Sequence, residues 1–550
     1  KLCFFVNQSN NKGIYYLQSE GNVRSLLKNN NLTHMVIEND KLIAYTYSEL
    51  FIYSSLSGTD RDVVNVGTVN NVSSLKDPNT FWIASGTSGI KGIQKKNNSY
   101  EVILENTNSD TMYPKRNYNY FMTMHDNKLL VIGGGRDTDR WGRRGTYMKY
   151  ENGEWYNFNE NEINNKFRNF WDYTGIAIDP NNPDRYFISS YGEGIVELKN
   201  NEAIQLYDSQ NSTLESIAKL DPLHYVRIGG ITFDKNGNLW ATNCEVPSLL
   251  QVLKANGEWV KFQSSELAIS YKTDKITITS DNRKWINCDQ GIFIFNEKGT
   301  IDDKSDDESK LYTTFTDANG SIDVSGYYCV VEDKTGQVWI GTSRGPIICR
   351  NPRNSIDKIS CERIVRTNNE NGEPFYLLDG EKINAIAVDG GNRKWIGTQS
   401  SGVFLVSEDG METIYNFTTA NSPLPSNQVN TLAINQQTGE VFIGTEKGLV
   451  SYMGDATEGS EDYSDIYAYP NPVRPEQNDR VTIVGLMNDS NVKITDLKGN
   501  IIYQGKSAGG TFTWDCRRKG GGRVATGIYL VLSATPEAKE SVVTKIMVVK

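Results

Sequence analysis

One short phrase recurs along this chain of 550 residues. It reads QVWIGTSRGPIICR from Gln337, KWIGTQSSGVFLV from Lys394 and EVFIGTEKGLVSYM from Glu440. In each copy an aromatic residue stands in an apolar run that ends in Gly-Thr, and a glycine opens a second apolar run shortly afterwards. A phrase that returns at such intervals is typical of solenoids, propellers and other repeat architectures.

Alignment on the apolar centre of this phrase gives ten units, spaced 39 to 57 residues apart. A short apolar strand and a turn rich in Asp, Asn and Gly precede the centre, as in GITFDKNGNLWATN from Gly230. Such turns join strands in tight hairpins, and four antiparallel strands per unit make a propeller blade. The ten centres are Phe4, Ile43, Trp82, Leu130, Phe187, Trp240, Trp285, Trp339, Trp395 and Phe442.

The repeat predicts an all-β chain of β-propellers. We expect the last seven units, residues 106–454, to form one seven-bladed ring, and residues 1–105 to form the remainder of another propeller. The first unit lacks the strand that should precede its centre, so the natural chain is expected to extend further toward the N-terminus. Periodicity alone leaves other divisions of the ten units open. The recurring tryptophans alternate with small residues, which predicts packing between blades rather than an active-site role.

Charge and composition separate the end of the chain from its body. Residues 466–550 carry 12 Lys and Arg against 7 Asp and Glu, whereas the whole chain has a formal charge of −10. An acidic body argues against a nucleic-acid partner. Residues 455–465 are acidic and small and read as a linker, and residues 466–550 show short alternating strands that predict a small β-sandwich. No stretch is apolar for long enough to span a membrane.

The last segment resembles the C-terminal sorting domain of proteins exported by the type IX secretion system. The resemblance is carried by spaced motifs: YPNPV, V-x-I-x-D-x-x-G, a tryptophan, a glycine-rich turn, G-I-Y and a terminal K-I-x-V-V-K. The segment departs from the usual pattern at residues 515–522, which read DCRRKGGG. The resemblance implies motif roles for Tyr469, Pro470, Asn471, Pro472, Asp496, Gly499, Gly527, Lys545 and Lys550.

The propeller units resemble those of extracytoplasmic hybrid two-component sensors. Tandem propellers of this kind followed by a sorting domain are similar to a surface component of the type IX secretion apparatus. That resemblance implies an exported, non-enzymatic protein that keeps its sorting domain and is peripheral to the outer membrane, on its outer face. It also implies two partners: a PorU-like sortase with other type IX components, and anionic lipopolysaccharide.

Two other functions stay open on the sequence alone. The chain could be an exported cargo whose propeller binds or cleaves a polysaccharide, or an extracytoplasmic ligand-sensing module. Catalytic residues are not indicated, because His34, His125 and His224 lie in different units without a hydrolase or metalloprotease motif. The cysteines show no zinc spacing, a bridge between Cys349 and Cys361 remains open, and neither a metal nor a cofactor is predicted.

The most unusual local chemistry is GGGRDTDRWGRRG, from Gly133 to Gly145. Guanidinium groups grip phosphate or carboxylate in bidentate fashion, and a tryptophan can stack on a sugar. We therefore predict an anionic glycan or lipid headgroup site from Arg136, Arg140, Trp141, Arg143 and Arg144. The alternative is a structural loop in which Asp137 and Asp139 neutralise two of the arginines.

A second basic cluster lies in the sorting domain. It consists of Arg517, Arg518, Lys519 and Arg523. If the resemblance holds, these side chains are candidates for contact with lipopolysaccharide phosphates, while on an exposed surface the same charges would contribute little beyond solubility.

Overall fold

The structure is a computed structural model that describes most of the chain. The described residues are 2–8, 11–18, 21–55, 59–74, 77–86, 89–106, 113–136, 139–158, 160–267, 272–318, 320–367, 372–474, 480–535 and 540–549. They form two compact units, Lys1–Tyr113 and Pro114–Lys550. Antiparallel sheets dominate both units, as the sequence predicted.

The first unit contains three sheets of a partial propeller. Within the described residues the first sheet has three strands and the other two have four each. Buried apolar side chains such as Ile43, Leu50 and Phe81 fill the space between the sheets. The strands are β1 (Cys3–Val6), β2 (Gly13–Leu17), β3 (Val23–Lys28), β4 (His34–Glu38), β5 (Lys41–Tyr45), β6 (Glu49–Tyr53), β7 (Arg61–Asn65), β8 (Asn71–Ser73), β9 (Thr80–Ala84), β10 (Ile90–Lys96) and β11 (Ser99–Asn106).

The second unit begins with a propeller of seven blades, which confirms the predicted ring. Blades 1 to 4 have four strands each. Blades 2 and 3 are joined by pairing of Tyr191 with Arg227. Their strands are β12 (Phe121–His125), β13 (Lys128–Gly133), β14 (Thr146–Glu151), β15 (Glu154–Asn157); β16 (Tyr173–Asp179), β17 (Asn182–Gly192), β18 (Gly194–Lys199), β19 (Glu202–Tyr207); β20 (Val226–Phe233), β21 (Leu239–Asn243), β22 (Leu250–Leu253), β23 (Trp259–Phe262); β24 (Thr273–Ile278), β25 (Lys284–Cys288), β26 (Gly291–Asn296) and β27 (Glu308–Tyr312). Helix α1 (Glu160–Lys166) lies between blades 1 and 2.

Blades 5 to 7 complete the ring. Two short hairpins, β28 (Thr316–Asp317) with β29 (Gly320–Ser321) and β34 (Val365–Thr367) with β35 (Pro374–Tyr376), interrupt the blade pattern. The blade strands are β30 (Tyr327–Glu332), β31 (Val338–Thr342), β32 (Gly345–Cys349), β33 (Glu362–Arg363); β36 (Ile383–Val388), β37 (Lys394–Thr398), β38 (Val403–Val406), β39 (Thr413–Phe417); β40 (Val429–Ile434), β41 (Glu440–Thr445) and β42 (Gly448–Met453). A 3-10 turn, Ile356–Lys358, and a disulfide between Cys349 and Cys361 lie in blade 5.

The ring closes between its first and last inner strands. Strand β12 contacts β40, and the Met122 amide donates to the Thr431 hydroxyl at 3.2 Å. Asn119 also donates its side-chain amide to the Thr445 carbonyl at 3.4 Å. Blade 7 has three strands, because the chain leaves it at Gly454 and enters the segment that leads to the sandwich.

The recurring phrase is explained by contacts within and between blades. Trp339 is fully buried, and its indole N–H donates to Asp333 at 3.1 Å. The same carboxylate accepts backbone N–H groups of its own turn, from Thr335 and Gln337. Lys394 of the next blade forms an ion pair with Asp333 at 2.9 Å and lies 4.8 Å from the Trp339 ring centroid. The phrase therefore encodes a hairpin turn and a contact with the following blade.

Burial shifts the titration of this pair. Desolvation lowers the pKa of the Lys394 ammonium, against the attraction of Asp333. Burial works against ionisation of Asp333, but hydrogen bonds from Thr335 and Lys394 lower the pKa of its carboxyl. A related arrangement occurs between blades 3 and 4, where Lys284 lies 4.2 Å from the Trp240 ring and Asp234 accepts the indole N–H at 3.0 Å, but this lysine forms its ion pair with Glu297 of its own blade.

The second unit ends in a β-sandwich of two sheets. One sheet has the order β43-β44-β47 and the other β46-β45-β48-β49. The core between them includes Val481, Ile494, Trp514 and Val531. The strands are β43 (Tyr467–Tyr469), β44 (Val481–Val484), β45 (Asn491–Thr495), β46 (Ile501–Lys506), β47 (Thr511–Trp514), β48 (Gly527–Ala534) and β49 (Glu540–Val548).

The segment between propeller and sandwich, which the sequence analysis assigned to a linker, packs between the two domains. Glu458 donates its amide to Gln436 of the β40–β41 turn, at 2.6 Å, and the carbonyl of Thr457 accepts the amide of Gly510 in the sandwich, at 2.9 Å. Arg393 of blade 6 pairs with Asp455 at 2.6 Å. Backbone and side-chain bonds thus attach the segment to both domains.

Candidate functional site

The arginine loop is the segment with the sequence GGGRDTDRWGRRG, from Gly133 to Gly145, and it connects β13 to β14. It lies where the inner strands of the ring, which are the first strands of the blades, begin. Strand β13 runs antiparallel to β12, so it ends beside the start of β12. Two glycines of the loop allow Tyr173, the first residue of β16, to pack closely. A Cβ atom on Gly145 would lie 1.9 Å from the Tyr173 ring, and one on Gly134 would lie 2.4 Å from the Tyr173 nitrogen. The glycines of the motif therefore seat the loop against blade 2.

Arg136 is directed into the protein. Its side chain is 9% exposed and its guanidinium lies 4.5 Å from the Tyr191 ring centroid. It donates to the Thr273 carbonyl at 2.8 Å and lies 4.0 Å from Asp274. Burial alone would lower the pKa of Arg136, but the Asp274 carboxylate raises it above the ordinary value. This arginine connects blade 1 to blade 4.

Arg140 belongs to a network of ion pairs. It lies 3.3 Å from the buried carboxylate of Asp172 and 3.4 Å from that of Glu193. Glu193 also pairs with Arg168 at 3.0 Å and with the Nδ1 atom of His224 at 3.0 Å. These carboxylates lie between blades. Because loss of one partner of a buried ion pair is strongly destabilising, the pairs hold the loop in place.

The alternative from the sequence is that Asp137 and Asp139 neutralise arginines of the same loop. In the structure, Asp139 pairs with an arginine of another blade. Asp137 lies outside the described residues. Asp139 pairs with Arg227 of blade 3 at 2.7 Å, and Arg227 also binds Glu245. Burial alone would lower the pKa of Arg227, and the hydrogen bond to Glu245 raises it. The aspartate therefore joins the loop to a neighbouring blade.

Trp141, Arg143 and Arg144 form the exposed part of the loop. The Arg143 guanidinium lies 4.3 Å from the Trp141 ring and 5.5 Å from that of Tyr118. Trp141 is 43% exposed and meets Tyr120 edge to face at 5.9 Å. Arg144 is exposed and donates to the Asn161 side chain at 3.4 Å. A guanidinium beside exposed aromatic rings can hold a sugar that carries an acidic group.

Sequence reasoning missed the residues that support the loop. Tyr118, Asp172, Glu193 and Arg227 lie in separate segments, and none belongs to a motif. They meet because neighbouring inner strands start on the same side of the ring. An alternation of aromatic and polar residues in RNYNYF from Arg116 was the available signal for Tyr118.

The second basic cluster lies on the turn between β47 and β48. Arg517, Arg518 and Lys519 are exposed. The backbone is held by Arg518 donating to Gly522 at 2.9 Å and by Trp514, whose indole N–H donates to the Arg517 carbonyl at 2.8 Å. Arg523 is half-buried and donates to the Val549 carbonyl at 3.3 Å. Three cations are thus presented to solvent, while the fourth ties the turn to the end of the chain.

The residues predicted to form sorting motifs have structural roles in the sandwich. The Asn471 side chain donates to the Lys545 carbonyl at 2.7 Å and accepts a hydrogen bond from the Met547 amide at 2.9 Å. It therefore bonds to the backbone of β49 as a neighbouring strand would. The preceding peptide bonds of Pro470 and Pro472 are cis. Asp496 accepts the amides of Lys498 and Asn500 in a tight turn.

The other motif residues lie at strand ends and turns. Gly499 has a φ of +85°, in the left-handed region that favours glycine. Gly527 opens β48, Lys545 is exposed on β49, and Tyr469 ends β43. Lys550 lies outside the described residues.

The described residues contain neither a metal-binding cluster nor a membrane-spanning helix. No group of three His, Cys, Asp or Glu side chains there is arranged to hold a metal ion. None of the helices in the described part of the chain has the length and apolarity needed to cross a membrane.

Comparisons with known proteins agree with the fold. Residues 321–344 match the family described as "Two component regulator propeller". The structure resembles PorZ of Porphyromonas gingivalis, described as an essential bacterial surface component of the type IX secretion system, with 27% identity and a TM-score of 0.69. That match covers 100% of this chain and 74% of PorZ.

Other matches are more distant. The extracellular domain of a one-component system of B. thetaiotaomicron has 12% identity and a TM-score of 0.42, with 98% of this chain and 73% of that chain covered. The extracellular domain of a hybrid two-component system of the same organism has 13% identity and a TM-score of 0.30, with 98% of this chain and 87% of that chain covered. A comparison with curated protein sequences gives no match. The chain thus resembles PorZ along its whole length and contains a repeat of the two-component regulator propeller type.

Proposed function

We propose that this chain is a non-enzymatic surface component of a type IX protein secretion apparatus. The observation that carries the proposal is the likeness to PorZ, which extends through both propeller units and the terminal sandwich. The proposed location is the outer face of the outer membrane, with peripheral attachment. Partners would be other components of the apparatus, including a PorU-like sortase, and anionic lipopolysaccharide.

The packing of residues 455–460 supports retention of the sorting domain. A peptidase needs an extended, accessible segment, whereas this one is bonded on both sides. Ala456 is buried, and the Thr511 hydroxyl donates to the Asp455 carbonyl. Ser460 donates its amide to Leu486 at 2.8 Å. In this conformation the bonds from both domains protect the boundary from cleavage.

The exposed cations support a role in binding an anionic glycan. Trp141, Arg143 and Tyr118 offer aromatic rings and a guanidinium on the propeller face. Arg517, Arg518 and Lys519 offer separate charges on the sandwich. The sugar rings and phosphates of lipopolysaccharide match these two kinds of surface.

The C-terminus of the mature protein tests retention. We expect mass spectrometry of protein from the cell surface to find the sandwich intact. We also expect a chain ending at Asp465 to be secreted poorly or released, because it lacks the proposed sorting signal. A mature form that ends near Asp465 would instead indicate the alternative, an exported cargo whose propeller acts on a polysaccharide.

Substitutions in the exposed loop test glycan binding. We expect Trp141→Ala and Arg143→Ala each to weaken binding of purified anionic lipopolysaccharide about tenfold, since loss of one stacking or charge-assisted contact costs about 1 to 2 kcal/mol. Arg353→Ala is the matched control, because that guanidinium is 60% exposed and lies near Glu332, at the other end of an inner strand. Binding is measured by surface plasmon resonance.

Two outcomes separate the parts of this proposal. Equal loss in the control would indicate non-specific charge attraction. Unchanged binding in both loop variants would remove the loop from the site and leave the sandwich cluster as the remaining candidate.

A further inference from the structure

A cavity of about 390 Å³ lies beside the inner strands of blades 1 to 4 in the second propeller. It follows these strands to their ends, where His125 and Lys235 form part of its rim. Phe121, Thr123, Thr232 and Lys275 contribute to its walls. The described residues that line the cavity do not include any of the arginine loop, so the cavity has a different set of side chains from the candidate site described above.

The charge inside the cavity is set by Lys275. This half-buried side chain lies on β24, and its ammonium is 5.6 Å from the centroid of the Phe121 ring. Among the residues that the structure describes, no carboxylate forms an ion pair with Lys275 and no acceptor receives a hydrogen bond from its ammonium. A lysine that has lost part of its hydration without a protein partner is stabilised by an external anion.

Three acidic residues close to the cavity have partners other than this lysine, and the first, its chain neighbour Asp274, lies 4.0 Å from Arg136. Asp234 lines the cavity but is 2% exposed. Its carboxylate accepts from the Asn236 and Asn238 amides, the Asn238 side chain and the Trp240 indole. Asp126 pairs with the Nε2 atom of His125 at 3.3 Å and is mostly exposed. The cavity therefore carries an excess of positive charge.

We propose that this cavity binds a small hydroxylated organic anion, such as a sugar that carries a carboxylate or a phosphate. Lys275 would pair with the anionic group. The threonine side chains would face the hydroxyl groups, and Phe121 would provide an apolar floor. The volume suits a ligand of one or two sugar rings, within the range of small-molecule sites. The proposal is independent of the role in secretion.

Isothermal titration of the full chain with glucuronate and with glucose 6-phosphate tests this site, and glucose is the uncharged control. We expect at least one anion to bind, with glucose binding at least tenfold more weakly. Lys275→Met should weaken anion binding about tenfold, equivalent to 1.4 kcal/mol. Lys275→Arg should retain most of the affinity, and Lys235→Met, at the exposed rim, should change it less than about twofold.

The outcomes decide the proposal in either direction. A preference for glucuronate or for glucose 6-phosphate would identify the anionic group that the site binds. Either preference would support the proposal. Failure of both anions to bind, equal binding of glucose, or undiminished binding by Lys275→Met would overturn it. Thermal unfolding of each variant checks the fold, and if Lys275→Met does not fold, a tenfold loss in Thr232→Val serves as the second test. Surface retention of the chain should be unaffected in all variants.

Discussion

Replacing Trp339 by alanine is expected to lower the free energy of unfolding of the second propeller by about 3 to 5 kcal/mol. The indole is fully buried between blades and stacks under the ammonium of Lys394. Its removal leaves a cavity and takes a hydrogen-bond donor from Asp333. Both effects act on the same contact between blades 5 and 6, so the loss should fall at the upper end of the range.

The measurement is denaturant unfolding followed through the propeller transition. Trp141→Ala is the matched control, because it removes the same side chain from an exposed position, and its unfolding free energy should change by less than about 1 kcal/mol. Trp339→Phe should lower the free energy of unfolding less than Trp339→Ala does, since most of the side-chain volume remains. Equal stability of the Trp339 and Trp141 alanine variants would contradict the packing role of the repeat.

A lysine at position 390 is expected to separate the sandwich from the propeller without disturbing the blade. Gly390 occupies a turn position that is Lys235 in blade 3 and Lys334 in blade 5, so a lysine suits the turn itself. A Cβ atom at Gly390, however, would lie 1.8 Å from the Thr457 carbonyl oxygen. The glycine is therefore required by the packed segment, and Gly390→Lys should expose residues 455–465 to proteolysis.

Limited proteolysis with a glutamate-specific enzyme measures this effect at Glu458 and Glu461. We expect cleavage there to accelerate about tenfold or more, because the rate follows the population of the open form. Lys334→Gly is the control: it alters the equivalent turn of a blade that does not contact the segment through that position, and cleavage should be unchanged. Equal rates in wild type and Gly390→Lys would show that the clash is absorbed without undocking.

Much of the fold could be predicted because its determinants are local. The residues of the Asp-turn-Trp phrase form a hairpin through contacts with one another. Each unit therefore predicts a blade independently of the other units. In chain order, nine of the ten predicted centres lie on the second strand of a blade or of a four-stranded sheet of the first unit, and Phe4 lies on the first described strand of its sheet. The sorting roles of Asn471 and Asp496 stay predictions, while their hydrogen bonds are local: Asn471 bonds to one strand and Asp496 to its own turn. The boundaries set for the individual domains stay predictions.

The candidate site was predictable only in part. Trp141, Arg143 and Arg144 are exposed, and the binding role predicted for them from the chemistry of the motif stays a prediction. Arg136 and Arg140 face inward, because Asp274, Asp172 and Glu193 reach them from other blades. Pairing of this kind depends on which side of the ring each strand begins, and sequence spacing does not record it.

The chain by itself determined the repeated blade, the seven-bladed ring and the terminal β-sandwich, because each follows from residues that interact within a few dozen positions. Tertiary structure alone decided which arginines stay accessible, why blade 6 needs a glycine at position 390, and that Lys275 faces a cavity where no carboxylate of the described residues forms an ion pair with it. The reason is physical: charge neutralisation and steric fit are sums over neighbours in space, and in a ring those neighbours come from blades far apart in the sequence.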